Sequence, residues 1–240
     1  MLFAAGLGTR LAPLTDRLPK ALVPVAGVPL LERVSRRLVA AGVDRLIINT
    51  HAFPQAVEGF VAGRGGFGVQ VLFSPEPGAP LETGGGLLNA RALFRGDRPA
   101  FLHNVDVLTD LPLGALYESH GAAAALATLA VHERRASRYL LFDEEGLVGH
   151  EAPAAGRRVQ VRPGRGVVQR LAFCGVHVVS PGLLAQITER GAFPIVDVYL
   201  RLAAAGAPIR PFRVDGCNWM DVGTPARLGA AEAAAAAGRV

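Results

Sequence analysis

The sequence has only two cysteines among its 240 residues, so a disulfide framework is excluded. Neither Cys174 nor Cys217 stands in a CxxC motif, which leaves no spacing typical of a zinc or redox site. Long apolar runs are also missing, because no window reaches the roughly 18 consecutive apolar residues of a membrane span. The apolar start at residues 1–6 has no basic leader before it. We therefore expect neither a signal peptide nor a membrane partner, and a cytoplasmic location.

Basic residues exceed acidic ones, which gives a formal net charge of +5. The arginines are scattered and adjoin each other only in short pairs such as Arg36-Arg37 and Arg157-Arg158. A nucleic-acid-binding protein would concentrate them in a stripe or patch, so nucleic acid is not expected as a partner. A basic cleft for small phosphorylated substrates suits this balance.

Apolar runs alternate with helical patterns over the first half of the chain. This alternation predicts an α/β fold with a Rossmann-like mixed, mostly parallel sheet flanked by helices. The predicted strands are residues 2–5, 45–49, 70–74, 100–104 and 123–131, and the predicted helices are 29–41, 55–62 and 85–93.

The pattern changes after about residue 133, where strands are separated by loops rich in glycine, proline and arginine. We expect a small antiparallel, sugar-binding extension there. The resulting prediction is one domain, 1–240, with a nucleotide-binding part at 1–132 and a sugar-binding part at 133–240. The predicted elements beyond residue 133 are strands 139–142, 167–179 and 209–214 and helices 181–190, 196–205 and 225–238.

Two neighbouring strings carry most of the functional information. G-x-G-x-R-x-x-P-L-T occupies residues 6–15 and P-K-x-L-x-P-x-x-G occupies residues 19–27. Glycines let the backbone approach a phosphate, and Arg10 adds a forked donor. The Rossmann G-x-G-x-x-G motif fails because Leu11 stands where its third glycine belongs, and the P-loop string is absent.

Together these strings resemble the signature of the sugar-phosphate nucleotidyltransferase (sugar nucleotide pyrophosphorylase) family, and the resemblance extends over about residues 2–228. It implies the nucleotide-diphospho-sugar transferase fold. It also implies transfer of a nucleoside monophosphate from a nucleoside triphosphate to a sugar 1-phosphate, with release of pyrophosphate. The roles carried over are catalytic phosphate contacts for Arg10 and Lys20 and nucleotide binding for Ala4, Ala5, Gly6, Gly8, Thr9 and Arg10.

A second glycine-rich string, E-T-G-G-G, occupies residues 82–86 before a predicted helix. Taken alone, the string also fits a purely structural helix N-cap, with glycines that allow a tight entry into the helix. By the resemblance, Glu82, Thr83 and Gly85 face the nucleobase. The string is similar to the branch of the family that uses UTP and N-acetylmuramic acid 1-phosphate, which implies a role in peptidoglycan recycling.

Asp106 follows a predicted strand end in the context N-x-D, and Asp221 stands far along the chain in the context W-x-D-x-G-T. Asp106 and Asp221 resemble the paired Mg²⁺ ligands of the family, and two carboxylates suffice because Mg²⁺ fills its shell with water and phosphate oxygens. We interpret Asp110 as a turn residue. His103 is interpreted as structural, because a phosphate oxygen is already ionised at neutral pH and needs no base.

The sugar pocket is the least defined part of the resemblance. The strand around Gly175 is similar to the family strand whose glycine lets the sugar approach, and Asn104 is a candidate partner for a hydroxyl or acetamide group. Asp197 either faces this pocket or caps the next helix. Arg162 stands near the place where many relatives carry a second lysine.

Several alternatives stay open at this stage. Within the reaction class, the chain could be a mannose-1-phosphate guanylyltransferase or a glucose-1-phosphate thymidylyl- or uridylyltransferase. From another class, it could be a catalytically silent, nucleotide-sugar-binding regulatory subunit, although the intact basic and acidic motif residues disfavour this. The expected partners are a nucleoside triphosphate, with UTP favoured, and a sugar 1-phosphate, bound by a monomer or a small homo-oligomer.

Overall fold

A computed structural model describes residues 1–239, so the expected domain end at residue 240 lies just outside the described residues. The chain alternates strands and helices over most of this length. The strands are β1 Leu2–Phe3, β2 Pro24–Val25, β3 Val28–Pro29, β4 Arg45–Thr50, β5 Gln70–Pro75, β6 Ala100–Asn104, β7 Val107–Thr109, β8 Ala127–His132, β9 Tyr139–Asp143, β10 Gly146–Ala152, β11 Arg157–Gln160, β12 Gln169–Val179, β13 Ile209–Arg213 and β14 Trp219–Asp221. The helices are α1 Leu30–Ala40, α2 Pro54–Gly63, α3 Glu82–Asn89, α4 Leu113–Ala122, α5 Pro181–Ala185, α6 Ile195–Ala204 and α7 Pro225–Ala236.

Ten strands form one mixed sheet, whose main path runs β11-β10-β9-β12-β6-β1-β4-β5. β6, β1, β4 and β5 are parallel, so their carboxyl ends lie along one edge. β12 is antiparallel to β6 and leads into the antiparallel strands β9, β10 and β11, while β8 and β13 branch from β12. The expected mixed, mostly parallel sheet with an antiparallel extension is confirmed.

Helices cover both faces of the sheet because successive side chains of a strand point to opposite sides. In β4, Leu46 and Ile48 belong to one buried cluster and Ile47 to another. Each of these side chains is almost fully buried, and burial of that kind contributes about 1.5–3 kcal/mol per residue. No helix within residues 1–239 is both long and apolar enough to cross a membrane.

Helix α1 shows why local pattern was a reliable guide in the first half. Leu30, Leu31, Val34 and Leu38 are buried at helical spacing. Gly42 follows the helix with a φ of +91°, a conformation that favours glycine and ends the helix as the sequence indicated.

Several regions differ from the sequence-based prediction. The strand expected at 123–131 begins only at Ala127, because residues 123–126 form the turn after helix α4. The end of α4 is held in place by His120, whose two ring nitrogens form hydrogen bonds with Thr128 and Ser180. The helix expected at 181–190 ends at Ala185, because the chain after it turns back to place residues 191–193 against α3. The helix expected at 85–93 begins at Glu82 and ends at Asn89. Strands β2, β3, β7, β10, β11 and β14 and helix α4 were not predicted.

Candidate active site

A cleft of about 180 Å³ lies at the carboxyl ends of β1, β4, β5 and β6. Ligands of open α/β sheets bind at this edge, where loops from separate strands meet. The cleft brings together motifs that are far apart in the sequence. It is lined by Phe3, Ala4, Ala5, Gly6, Lys20, Asn49, Glu76, Pro80, Glu82, Thr83, Asn104, Val105 and Asp106.

The phosphate loop, residues 6–15, is held by contacts that only glycine permits. Gly8 has a φ of +67°, and a Cβ there would lie 2.9 Å from Thr15 Cγ2 and 3.0 Å from Lys20 Cβ. Thr15 Oγ1 donates to Gly8 O at 2.9 Å. A Cβ on Gly6 would instead meet no atom within 4 Å, so space for a ligand remains beside it. Thr9 and Arg10 follow in an exposed 3-10 turn.

Lys20 is buried in the cleft wall, with 9% of its surface exposed. Its ammonium group forms an ion pair with Asp106 Oδ2. It is also the only lysine in the sequence, in which every other strongly basic side chain is an arginine. The ammonium group of this single lysine thus lies beside the carboxylate of Asp106 at the cleft.

The two predicted metal-binding aspartates lie close together at one end of the β7–β14 ladder, where Asp106 directly precedes β7 and Asp221 ends β14. Asp221 pairs with Val107, and Val222 N donates to Asp106 O at 2.8 Å. Asp221 Oδ2 forms an ion pair with Arg227, while Asp221 Oδ1 is buried without a hydrogen-bond partner. Such an unsatisfied carboxylate oxygen fits a hard divalent cation. A Cβ on Gly223 would lie 2.6 Å from Asp221 Oδ1 and 3.0 Å from Arg10 Nη2, which places Arg10 beside this aspartate.

Among residues 1–239, no group of three or more histidine, cysteine or acidic side chains is arranged to hold a metal ion. A divalent ion bound at Asp106 and Asp221 would therefore depend on water and substrate oxygens for the rest of its shell. This is the arrangement that Mg²⁺ usually adopts at phosphate-binding sites.

Residues 80–86, called the base loop because they are predicted to face the nucleobase, run into the first turns of helix α3 and use their glycines for packing. Gly84 N and Gly85 N both donate to Phe193 O, at 2.8 and 3.2 Å. A Cβ on Gly84 would lie 2.3 Å from the Phe193 ring, and one on Gly85 would lie 2.4 Å from Gly191 O. Glu82 lines the cleft, whereas Gly85 faces the chain at residues 191–193.

Thr83 lines the cleft and also contacts a neighbouring segment, since its Oγ1 accepts a hydrogen bond from Ile195 N at 3.0 Å. Ile195 is the first residue of α6, so this hydroxyl joins the base loop to the start of that helix.

Asn49 and Glu76 were missed by the sequence analysis, although both line the cleft and both are only 2% exposed. Asn49 Oδ1 accepts from Ala4 N at 2.6 Å, and its Nδ2 donates to Glu76 Oε1 at 2.7 Å. Glu76 Oε2 accepts from Leu81 N at 2.7 Å. The available signal was a polar side chain at the end of each of two predicted parallel strands.

On the sugar side, Gly175 has a φ of +73° at an irregular pairing of β12 with β8. A Cβ there would lie 2.7 Å from Asn104 Nδ2, so the glycine allows Asn104 to occupy the cleft wall. Asp197 is exposed in the first turn of α6 and does not line the cleft. The structure thus joins Gly175 and Asn104 but leaves Asp197 apart from them.

His103 and Asp110 occupy structural positions. Burial lowers the pKa of His103 to about 4, and its Nδ1 lies 2.8 Å from Asn104 O. Asp110 accepts hydrogen bonds from Asn218 N at 2.8 Å and from Asn218 Nδ2 at 2.6 Å.

Arg162, the candidate substitute for a second lysine, is held within the antiparallel extension. Its Nη1 and Nη2 donate to Asp143 at 2.9 and 2.6 Å, and further bonds reach the carbonyls of Leu147, Gly146 and Pro163. The Asp143 side chain has no exposed surface. Arg162 therefore neutralises a buried carboxylate at the β9–β10 turn.

Replacing Arg162 by methionine is expected to lower the free energy of unfolding by about 2–3 kcal/mol, because Asp143 would be left buried without its cation. Arg162 holds the pKa of Asp143 far below its usual range. A carboxyl group whose pKa is lower in the folded than in the unfolded protein stabilises the fold. This contribution is complete at a pH above the unfolded pKa of about 3.9 and is lost as the pH falls. The difference between wild type and variant should therefore shrink below about pH 4 in urea-unfolding experiments.

Arg165→Met is the matched control, since Arg165 Nη1 pairs with Glu145 at 2.6 Å while its side chain is 70% exposed. Exposed pairs contribute about 0–1 kcal/mol. Equal effects of the two variants would contradict a specific role for the buried pair.

Comparisons with known proteins identify the family of this chain. The sequence profile of the nucleotidyl transferase family matches residues 1–238. N-acetylmuramate alpha-1-phosphate uridylyltransferase of Caulobacter vibrioides is 36% identical, with 97% of this chain and 95% of the relative covered. The protein of the same name from Neisseria meningitidis serogroup B is 33% identical, with 99% and 98% covered.

A UDP-glucose pyrophosphorylase of Acinetobacter baumanii has a similar structure, with a TM-score of 0.76 at 20% identity and with 96% of this chain and 90% of that chain covered. This likeness concerns the fold alone. The profile match over nearly all of the sequence and the full-length relatives place the chain, as an enzyme of nucleotidyl transfer, in the nucleotidyl transferase family.

Proposed function

We propose that this protein transfers UMP from UTP to N-acetylmuramic acid 1-phosphate, in the presence of Mg²⁺, and releases pyrophosphate. The observation that carries the proposal is the cleft in which Lys20 and Asp106 lie opposite the base loop, with Arg10 and Asp221 beside them. The two full-length relatives named for that reaction support the choice of base and sugar.

The chemistry is an in-line displacement at the α-phosphorus. An ionised oxygen of the sugar phosphate forms the new P–O bond, and the bond to the pyrophosphate oxygen breaks. Arg10 and Lys20 donate to phosphate oxygens, whose negative charge increases as the reaction proceeds. Asp106 and Asp221 would hold Mg²⁺, which supplies neutralisation of phosphate charge when bound. No side chain has to remove a proton, in agreement with the buried position of His103.

The nucleotide and sugar contacts follow from the same placement. Ala4, Ala5, Glu82 and Thr83 border the space for the base, and Asn104 borders the space for the sugar. UTP is a cytoplasmic metabolite, so a cytoplasmic location belongs to the proposal. A UDP-linked N-acetylated amino sugar suits the proposed role in peptidoglycan recycling.

Substrate choice is tested with a matrix of UTP and GTP against three sugar 1-phosphates, scored by pyrophosphate release. N-acetylmuramic acid 1-phosphate with UTP is expected to give the highest kcat/KM. N-acetylglucosamine 1-phosphate lacks only the lactyl group and isolates its contribution, and mannose 1-phosphate tests the guanylyltransferase alternative.

Protein carrying Lys20→Ala controls for contaminating activity in this assay. A preference of more than about tenfold, or 1.4 kcal/mol, for mannose 1-phosphate with GTP would reject the uridylyl proposal while preserving the reaction class. Nucleotide binding without turnover in any combination would identify a silent binding subunit instead.

A further inference from the structure

We propose that Asn49 and Glu76 form a positioning bridge that sets the distance between the phosphate loop and the base loop. The inference rests on the proposed function, because the bridge would act on the nucleoside triphosphate that the cleft binds. It assigns these two side chains to nucleoside recognition and not to the phosphate chemistry.

The bridge is a continuous chain of three hydrogen bonds. It runs from Ala4 N to Asn49 Oδ1 at 2.6 Å, from Asn49 Nδ2 to Glu76 Oε1 at 2.7 Å, and from Leu81 N to Glu76 Oε2 at 2.7 Å. Ala4 leads into the phosphate loop and Leu81 stands directly before Glu82. The two loops are thus joined through side chains that lie at the ends of neighbouring strands.

The last glycine of the E-T-G-G-G string leaves room for this bridge. A Cβ on Gly86 would lie 2.6 Å from Glu76 Oε1 and 2.9 Å from Asn49 Nδ2. The backbone of Glu76 is anchored as well, since Glu76 N donates to Thr50 O at 2.8 Å and Glu76 O lies 2.8 Å from His51 Nδ1. The bridge therefore has a defined position and does not depend on mobile side chains.

The donor and acceptor types in the bridge determine which substitutions break it. Asn49 must accept from Ala4 and donate to Glu76, whereas a carboxylate at position 76 can only accept. Asn49→Asp would place its new carboxylate directly opposite that of Glu76, with no donor between them. Glu76→Gln would oppose two amide donors if the new side-chain amide kept accepting from Leu81 N. The double variant Asn49→Asp with Glu76→Gln exchanges the two groups and restores every donor–acceptor pair.

The test measures dissociation constants for UTP and for inorganic triphosphate by calorimetry, with kcat and melting temperature recorded alongside. Each single variant is expected to weaken UTP binding by at least about tenfold, because a buried polar group loses its partner. Inorganic triphosphate binding should stay within about twofold in the same variants. The double variant should return UTP binding to within about threefold of wild type.

Asn89→Asp is the matched control, because it removes a side-chain amide that does not line the cleft. Asn89 Nδ2 donates to Ser74 Oγ at 2.9 Å and to Pro75 O at 3.0 Å, both in the strand that precedes Glu76. It should leave both dissociation constants unchanged. A purely structural role would lower the melting temperature and weaken both ligands equally, which would overturn the proposal.

The remaining outcomes are equally decisive. Normal UTP binding by both single variants, or a double variant that fails to fold or to recover UTP binding, would overturn the bridge while leaving the proposed function intact. Failure of the wild-type protein to bind any of the four ribonucleoside triphosphates would overturn the proposed function and the bridge together.

Discussion

Replacing Asp106 or Asp221 by asparagine is expected to lower kcat by about 10³-fold, equivalent to roughly 4 kcal/mol of lost transition-state stabilisation. Asparagine keeps the shape of the side chain and removes the charge that would hold Mg²⁺. Asp221 Oδ1 is buried without a hydrogen-bond partner, and Asp106 lies at the same end of the β7–β14 ladder. A metal held there would lose one of two carboxylates in either variant. Pyrophosphate release measured over a Mg²⁺ titration gives the effect on turnover.

Binding of Mn²⁺, followed by electron paramagnetic resonance, separates metal binding from catalysis and should weaken in both variants. Asp110→Asn is the control, because Asp110 directly follows β7 but accepts both of its side-chain hydrogen bonds from Asn218. Near-normal turnover and Mn²⁺ affinity in both test variants would show that the metal assignment is wrong.

Lys20→Ala is expected to lower kcat by about 10²–10³-fold while the protein stays folded, because a fixed cation beside the phosphates would be lost. Since Lys20 is the only lysine in the chain, it is the only side-chain amine that an amine-directed reagent can modify. Modification of this residue should inactivate the enzyme, and a bound nucleoside triphosphate should protect it. Mass spectrometry identifies the modified position and distinguishes it from the amino terminus.

Arg10→Lys is expected to impair turnover by about tenfold or more, because a point charge does not replace the guanidinium fork that suits phosphate oxygens. Arg17→Lys is the matched control, since Arg17 is exposed on the same segment of chain, whereas Arg10 lies beside Asp221. An unfolded Lys20→Ala protein, or modification of Lys20 without protection by nucleotide, would instead support a structural role for the Lys20–Asp106 pair.

The site could be predicted furthest where its residues are contiguous. Gly8, Arg10 and Lys20 belong to two strings whose spacing is visible in the sequence, and the Gly8 conformation depends on Thr15 and Lys20 within those strings. The alternation of strands and helices was equally local, as the caps and buried positions of α1 illustrate. Such features can be predicted from the sequence because their interacting groups are close in the chain.

Features with distant partners could not be predicted in the same way. Asn49 and Glu76 are 27 residues apart, and only parallel pairing of β4 with β5 brings them together. The end of α4 and the turn after it are alanine-rich and apolar, which by periodicity fits a strand as well as a helix. The helical state of α4 depends on packing against β8, β12 and β13.

The sequence by itself determined the reaction class, because the strings at residues 6–15 and 19–27 resemble the signature of one enzyme family, to which the whole chain belongs. The same resemblance predicts which residues contact phosphate and metal. Only the tertiary structure decided which of those residues share a cleft. It turned Gly84 and Gly85 towards Phe193 and Gly191, and it committed Arg162 to Asp143. These outcomes depend on burial and on hydrogen-bond partners supplied by segments distant in the chain, and burial and partners exist only once the sheet has formed.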